Sequence, residues 1–207
     1  MKRKLVVCFF AMVMLFGLSS VSMANPINDP VYFDQITLIS TSPTFTFTSL
    51  THGTFETFCL EMFEGIQVGK TYTAYSNAGA VKGGDPSGFK PVNPETAYLY
   101  TDWKYDLSGT VYNDPALQIA IWILQDQISE ADALAKWHSY ALGLANQYIA
   151  SAAAQGWTNT HGVVALNDYT TTGGLAQDML YVPEPMSLLL LGFGLLGLGI
   201  TRRKLKK

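Results

Sequence analysis

Two uncharged apolar runs, one near each end, confine the part of this chain that can fold as a globule to the stretch between them. The opening MKRKLVVCFFAMVMLFGLSSVSMANP sets Lys2, Arg3 and Lys4 ahead of an apolar run from Leu5 to Leu18, with small residues before Asn25. That is the three-part layout of a secretory signal peptide, residues 1–24, with cleavage expected after Ala24. The run is short for a membrane span, and Cys8 would leave with the peptide. At the other end Met186 to Thr201 carries no charge. As a helix it would be about 24 Å long, short against a hydrocarbon core of about 30 Å. The basic tail 202–207, with Arg202, Arg203, Lys204, Lys206 and Lys207, is expected to stay cytoplasmic, which leaves the preceding domain outside.

The order Pro183-Glu184-Pro185, apolar helix 186–201, basic cluster resembles the PEP-CTERM sorting signal, here residues 182–207. The resemblance implies recognition by exosortase, a transient tether in the inner membrane, cleavage near Pro183 to Pro185, and release to the cell surface or extracellular matrix. The same motif is also labelled as the C-terminal domain of ice-binding proteins, but nothing between residues 25 and 181 points to ice.

Residues 25–181 are one domain's length. Their basic side chains are Lys70, Lys82, Lys90, Lys104 and Lys136, set against fifteen carboxylates, a formal charge of −10. The whole-chain value of −3 hides this because the remaining cations sit in the two end segments. Such a surface repels phosphate backbones, so nucleic acid is not an expected partner.

Stretches rich in Thr, Phe, Tyr, Ile and Val at 31–40, 44–50, 54–62 and 69–76, punctuated by Ser42-Pro43, His52-Gly53 and Gly65, predict antiparallel strands. Residues 82–94 predict a Gly/Pro loop. Asn93-Pro94-Glu95 and Asn113-Asp114-Pro115 each set an N-cap Asn before a Pro in the first turn, so two helices start there. A third start at Ser129 leads into an Ala-rich stretch toward Gly156, with a bend expected at Gly143. Strand patterns return at 162–168 and 175–182. The expected class is α+β: an antiparallel β-sheet or sandwich-like domain with a helical insertion.

Several familiar chemistries find no support. His52, His138 and His161 are isolated, and no Cys or His pair has ligand spacing, so no metal and no cofactor is expected. There is no calcium-loop order, no Gly-x-Ser-x-Gly elbow and no phosphate loop. Asp102, Asp106 and Asp114 lack the spacing of a hydrolase pair, and Cys59 has no local signature of a thiol hydrolase. Tyr98, Tyr100, Trp103, Tyr105 and Tyr112 suit core packing on a short helix better than ligand stacking.

Two polar oddities remain. In TFETFCLEM, Cys59 is in step with Phe55 and Thr57, while Phe58 and Leu60 point the other way, so both faces of the strand are largely apolar. Cys59 is thus a buried thiol with no second cysteine once the signal peptide is gone. The helix PALQIAIWILQ, Pro115 to Gln125, is apolar on nearly every side and should be buried, yet it holds Gln118. A buried carboxamide must be hydrogen-bonded or chemically changed. Attack of the Cys59 thiol on the Gln118 carbonyl would expel ammonia and consume both oddities in one thioester. The alternative is a cysteine that packs as a small hydrophobe.

Phe58-Cys59-Leu60-Glu61 and Leu117-Gln118-Ile119-Ala120-Ile121-Trp122 resemble the paired strand and helix motifs of thioester domains, adhesin modules of Gram-positive surface proteins. The resemblance implies Cys59 and Gln118 as the cross-linked pair, with Trp122 and Phe58 as shielding aromatics. Leu117 stands where the adhesins often have Thr, the interval between the motifs is short, and the anchoring route is exosortase rather than sortase. The expected function is single-use covalent capture of an amine-bearing surface or matrix polymer, which is not enzymatic turnover. Backbone N–H groups at the start of the helix would serve the oxyanion. The other expectation is a non-reactive structural component of the extracellular matrix, binding through an acidic, Tyr-rich surface.

Overall fold

The Thr- and aromatic-rich segments form strands because branched and aromatic side chains fit a pleated surface buried on one face. The computed structural model describes residues 31–183, apart from 42–43, 63, 82–87 and 137–138. The expected signal peptide, Glu184, Pro185, the 186–201 span and the basic tail lie outside the described residues. Among the described residues no helix is long and apolar enough to cross a membrane.

The strands are β1 (Val31–Ser40), β2 (Phe45–Ser49), β3 (Gly53–Thr57), β4 (Thr71–Asn77), β5 (Gly79–Val81), β6 (Phe89–Pro91), β7 (Val164–Thr170) and β8 (Met179–Tyr181). Between β6 and β7 lie α1 (Pro94–Tyr105), α2 (Asp114–Leu124), α3 (Glu130–Lys136) and α4 (Ser139–Gln155). The class is α+β, with the helices inserted between strands. Six strands form one antiparallel sheet in the order β3-β2-β1-β4-β7-β8. The two ends of that sheet meet. Leu60 N donates to Asp178 O at 2.8 Å, Leu180 N donates to Phe58 O at 3.0 Å, and Cys59 faces Met179 in an antiparallel bridge. The six-stranded sheet curls on itself instead of packing face to face on a second sheet of its size, and closure gives partners to edges that would otherwise stand open.

Alternation along the strands then divides the core in two. Phe55 and Cys59 join Ile36, Leu38, Phe47, Leu166 and Met179 inside the curled sheet. Phe58 and Leu60 face outward, onto Ala165, Leu180 and the helices.

Both Asn-Pro helix starts form as expected. The Asn93 side chain accepts from Glu95 N at 2.8 Å, and that of Asn113 from Ala116 N at 3.1 Å. The entry to α2 is fixed twice more. Asn113 N donates to the Tyr148 hydroxyl at 3.0 Å, and the buried Asp102 carboxylate accepts from Ser108 N, Ser108 Oγ and the Tyr112 hydroxyl at 2.6–2.7 Å. Tyr98 and Tyr100 are buried in the helical layer, Trp103 and Tyr112 are half-buried against it, and Tyr105 is exposed.

Two expectations of detail change. The 82–94 stretch is not all loop, because Phe89–Pro91 pairs with Gly79–Val81. Gly79 is required there, since a Cβ on it would lie 2.6 Å from Pro91 Cα. Gly143 sits inside α4, and the Ala-rich stretch is two helices, Glu130–Lys136 and Ser139–Gln155.

Candidate functional site around Cys59 and Gln118

The pairing of β2 with β3 ends at Phe45 and Thr57. Beyond it, Phe58 O and Leu60 N bond to β8 on one side. By the alternation of an antiparallel ladder, the N–H and C=O of Cys59 point to the other side, where β2 has stopped. Gln118 fills that gap. Cys59 N donates to Gln118 Oε1 at 2.9 Å, and Gln118 Nε2 donates to Cys59 O at 2.9 Å. The carboxamide thus stands in for one residue of a missing strand, although 59 positions separate the two residues. This explains how a buried helix tolerates a glutamine: both atoms of its amide are satisfied, and so is the backbone of Cys59.

The start of α2 does not supply the N–H that reaches the Gln118 oxygen. The first-turn N–H groups of α2 are taken by Asn113, through its side chain to Ala116 N and its carbonyl to Leu117 N. The donor that reaches the Gln118 oxygen is the N–H of Cys59 itself. Of the two aromatics, Trp122 lies one turn beyond Gln118 and packs against both cores. Phe58 is buried on the helical side, edge-on to Trp103 with centroids 4.8 Å apart. Its ring lies across the strand from the side that holds the sulfur.

Cys59 is fully buried and, among the described residues, forms no disulfide. Burial pushes its thiol well above the usual range, and the negative charges of Asp168 and then Glu61 push it further. These acids form part of a buried carboxyl group that sequence reasoning had counted as acidic surface. Asp178 accepts from Val81 N at 2.6 Å, Asn167 Nδ2 at 2.8 Å and Asp168 N at 3.2 Å. Glu61 is pushed up to about 9, first by burial and then by the charges of Asp178 and Glu64. Burial raises Asp168 and Asp178 well above the carboxylate range. Both oxygens of Asp168 are buried and have no hydrogen-bond partner. A signal for them was present in the alternation: Asp168 is in step with Leu166, Glu61 with Cys59, and Asp178 sits beside Met179 and Leu180.

His52 is held by Thr51 at the β2–β3 turn and stacks on Phe33, and His161 packs on Trp157, so neither serves Cys59 as a base. Among the described residues no group of three or more His, Cys, Asp or Glu could hold a metal ion. On the outer face of the sheet, Tyr32, Tyr75 and Tyr169 run edge to face across β1, β4 and β7, with centroids 5.8 and 5.6 Å apart. A shallow cleft of about 390 Å³ lies along Thr73, Tyr75, Tyr169 and Thr170.

Residues 182–204 match the PEP-CTERM protein-sorting motif. The match begins at Val182, directly after β8 ends at Tyr181, so the folded domain runs up to the signal with no linker. No curated protein and no solved structure matches the chain. Neither the ice-binding label nor the likeness to thioester domains gains support from these comparisons. The chain carries an exosortase sorting motif, which implies an exported, membrane-processed protein destined for the cell surface or matrix.

Proposed function

We propose that this exported protein is a covalent adhesin in which Cys59 and Gln118 condense to an internal thioester that captures amines on a surface or matrix polymer. The observation that carries the reading is the two-way hydrogen bonding between the Gln118 carboxamide and the backbone of Cys59, at 2.9 Å on both sides. It holds the acyl carbon against the residue that bears the sulfur. As Sγ adds to Cδ, negative charge gathers on Oε1, where the Cys59 N–H already points. The C–N bond then breaks, and the amide nitrogen leaves as ammonia with the proton the thiol gave up. A dry site slows hydrolysis of the product, and Trp122 covers the helix face beside it. An amine of the partner later attacks Cδ, becomes amide-linked to Gln118 and returns Cys59 to a free thiol. The domain acts once and does not turn over. Exosortase and the inner membrane are the partners on the way out, and the amine-bearing polymer is the partner at the destination.

Intact mass of the purified chain tests this. The thioester requires a deficit of one ammonia, a methylamine adduct at Gln118, and loss of both in Cys59→Ala. A full-mass protein with a thiol that titrates on unfolding would refute it.

That outcome would favour a non-reactive matrix component, for which the specific support is the row of Tyr32, Tyr75 and Tyr169 beside the outer cleft. Aromatic faces with neighbouring hydroxyls suit saccharides.

A further inference from the structure

The outside of the curled sheet is covered on one flank and open on the other. Helices pack on it at Phe58, Leu60, Ala165 and Leu180, while the helical core takes no residue from β1, β2 or β4. Along those three strands, alternation with the buried Ile36, Leu38, Phe47 and Tyr72 turns threonines outward. Register then lines them up. Thr54 pairs with Thr48, Thr48 with Thr37, and Thr37 with Thr71, one residue on each of β3, β2, β1 and β4. With neighbouring strands about 4.8 Å apart, this row of hydroxyls runs roughly 14 Å across the sheet. None of the four is buried, and the Thr37 and Thr71 hydroxyls lie 2.9 Å apart. Further along the same face the exposed Gln35 pairs with Thr73, Thr73 with Tyr169, and Tyr32 with Tyr75. The three tyrosine rings therefore continue the hydroxyl row into an aromatic strip.

Charge is missing from this face. The outward positions of β1, β2 and β4 carry no charged side chain, in a domain whose formal charge is −10. Charge returns at the margins, with Glu56 on β3 and Lys70 ahead of β4. An anionic partner would find no counter-charge here and would be repelled by the rest of the domain. A neutral sugar ring fits on both counts. Its C–H face stacks on an aromatic ring, and the hydroxyls at its rim exchange hydrogen bonds with side chains that both donate and accept. The cleft of about 390 Å³ beside Tyr75 and Tyr169 is shallow and open, which suits a length of polymer better than an enclosed small molecule. We propose that the outer face of β1, β4 and β7 is a platform for a neutral polysaccharide, with Tyr32, Tyr75 and Tyr169 stacking on its rings and Gln35, Thr37 and Thr71 meeting its hydroxyls. The proposal rests on the matrix-component reading and needs no thioester, since Cys59 lies inside the curled sheet.

Depletion binding with the purified chain tests it, with microcrystalline cellulose, chitin and insoluble starch as neutral polymers and alginate beads as an anionic one. Wild type should bind at least one neutral polymer and leave alginate. Tyr75→Ala removes the ring shared by both edge-to-face pairs and should weaken that binding by about 10–30-fold. Tyr32→Ala, whose ring is 57 % exposed and so contributes less to the fold, should also weaken it. Should Tyr75→Ala fail to fold, as judged by circular dichroism, Tyr32→Ala decides alone. Thr37→Val combined with Thr71→Val keeps the shape, removes two hydroxyls and should weaken binding as well. Tyr140→Ala, at an exposed tyrosine on α4, should bind as wild type does, and an equal loss there would overturn the proposal. Unchanged binding in both Tyr32→Ala and Tyr75→Ala puts the ligand elsewhere and overturns it. Neutral-polymer binding that survives boiling in detergent, in those variants as in wild type, is covalent capture and overturns it in favour of the thioester. Binding to alginate alone overturns the platform and leaves the matrix-component reading standing. Binding to none of the four polymers sinks both.

Discussion

Replacing Cys59 by alanine while also removing the Gln118 carboxamide separates a covalent from a non-covalent clasp by energy alone. Gln118 bonds only to the backbone N–H and C=O of residue 59, and an alanine there keeps both groups. In a protein without the cross-link, Cys59→Ala removes one buried heavy atom and should cost about 1 kcal/mol. Gln118→Leu leaves two buried backbone groups unpaired, at about 1–3 kcal/mol each. The two effects should then add, because neither change touches what the other removes. With the thioester in place, either substitution also opens a loop spanning 59 positions. The chain-entropy model for such a loop gives about 4 kcal/mol. Each single variant loses that amount, and the double variant loses it once, so the cycle shows a coupling of about 4 kcal/mol. Urea unfolding of the four proteins, with matched m-values, measures it. Additivity within about 0.5 kcal/mol would refute the cross-link.

Two further expectations follow from the same interior. Glu61, raised to about 9, keeps a proton in the folded state that the unfolded chain releases above 4.5, so its contribution is full below 4.5 and is lost as pH rises through 9. Asp168 and Asp178, raised by burial well above the ordinary Asp value of 3.8, act in the same direction. Asp34, lowered chiefly by its bond from Ser49, acts in the opposite sense and loses its contribution at low pH. So does Asp102, where the bonds from Ser108 and Tyr112 outweigh the effect of burial. The thermal midpoint should therefore be higher near pH 5 than near pH 8, and the reverse order would show that the buried acids are ionised. Gly79→Ala drives a Cβ into the backbone of Lys90 and Pro91. A loss of about 1–3 kcal/mol is expected in denaturant titrations, and an unchanged midpoint would mean that β5 and β6 do not pair in solution.

Local chemistry made much of this domain legible before any coordinates. Asn93 and Asn113 mark helix starts because an Asn side chain caps free N–H groups within its own turn, and β1 was read at its full length because its residue types suit a pleat. Alternation assigned Cys59 and Phe58 to opposite faces, and an apolar helix that could not remain wet pointed to a buried Gln118. These are effects of neighbours a few residues apart, which the order of residues records directly. What lay beyond reach depends on which strands meet. Alternation puts Asp168 in step with Leu166, but the closure of β8 onto Phe58–Leu60 decided that Asp168 and Asp178 are shut off from water there. The end of β2 at Phe45 left Cys59 without a strand on the side away from β8 and so gave the Gln118 amide its place. The same closure supplied the N–H of Cys59, in place of the helix start, as the donor to the glutamine oxygen. The amino-acid order alone marked Cys59 and Gln118 as a polar pair in an apolar setting and Val182 onward as a sorting signal. The tertiary structure alone decided that the pair touches and that Asp168 is an interior acid with no hydrogen-bond partner for its carboxyl, because contacts across 59 and more positions are set by sheet closure.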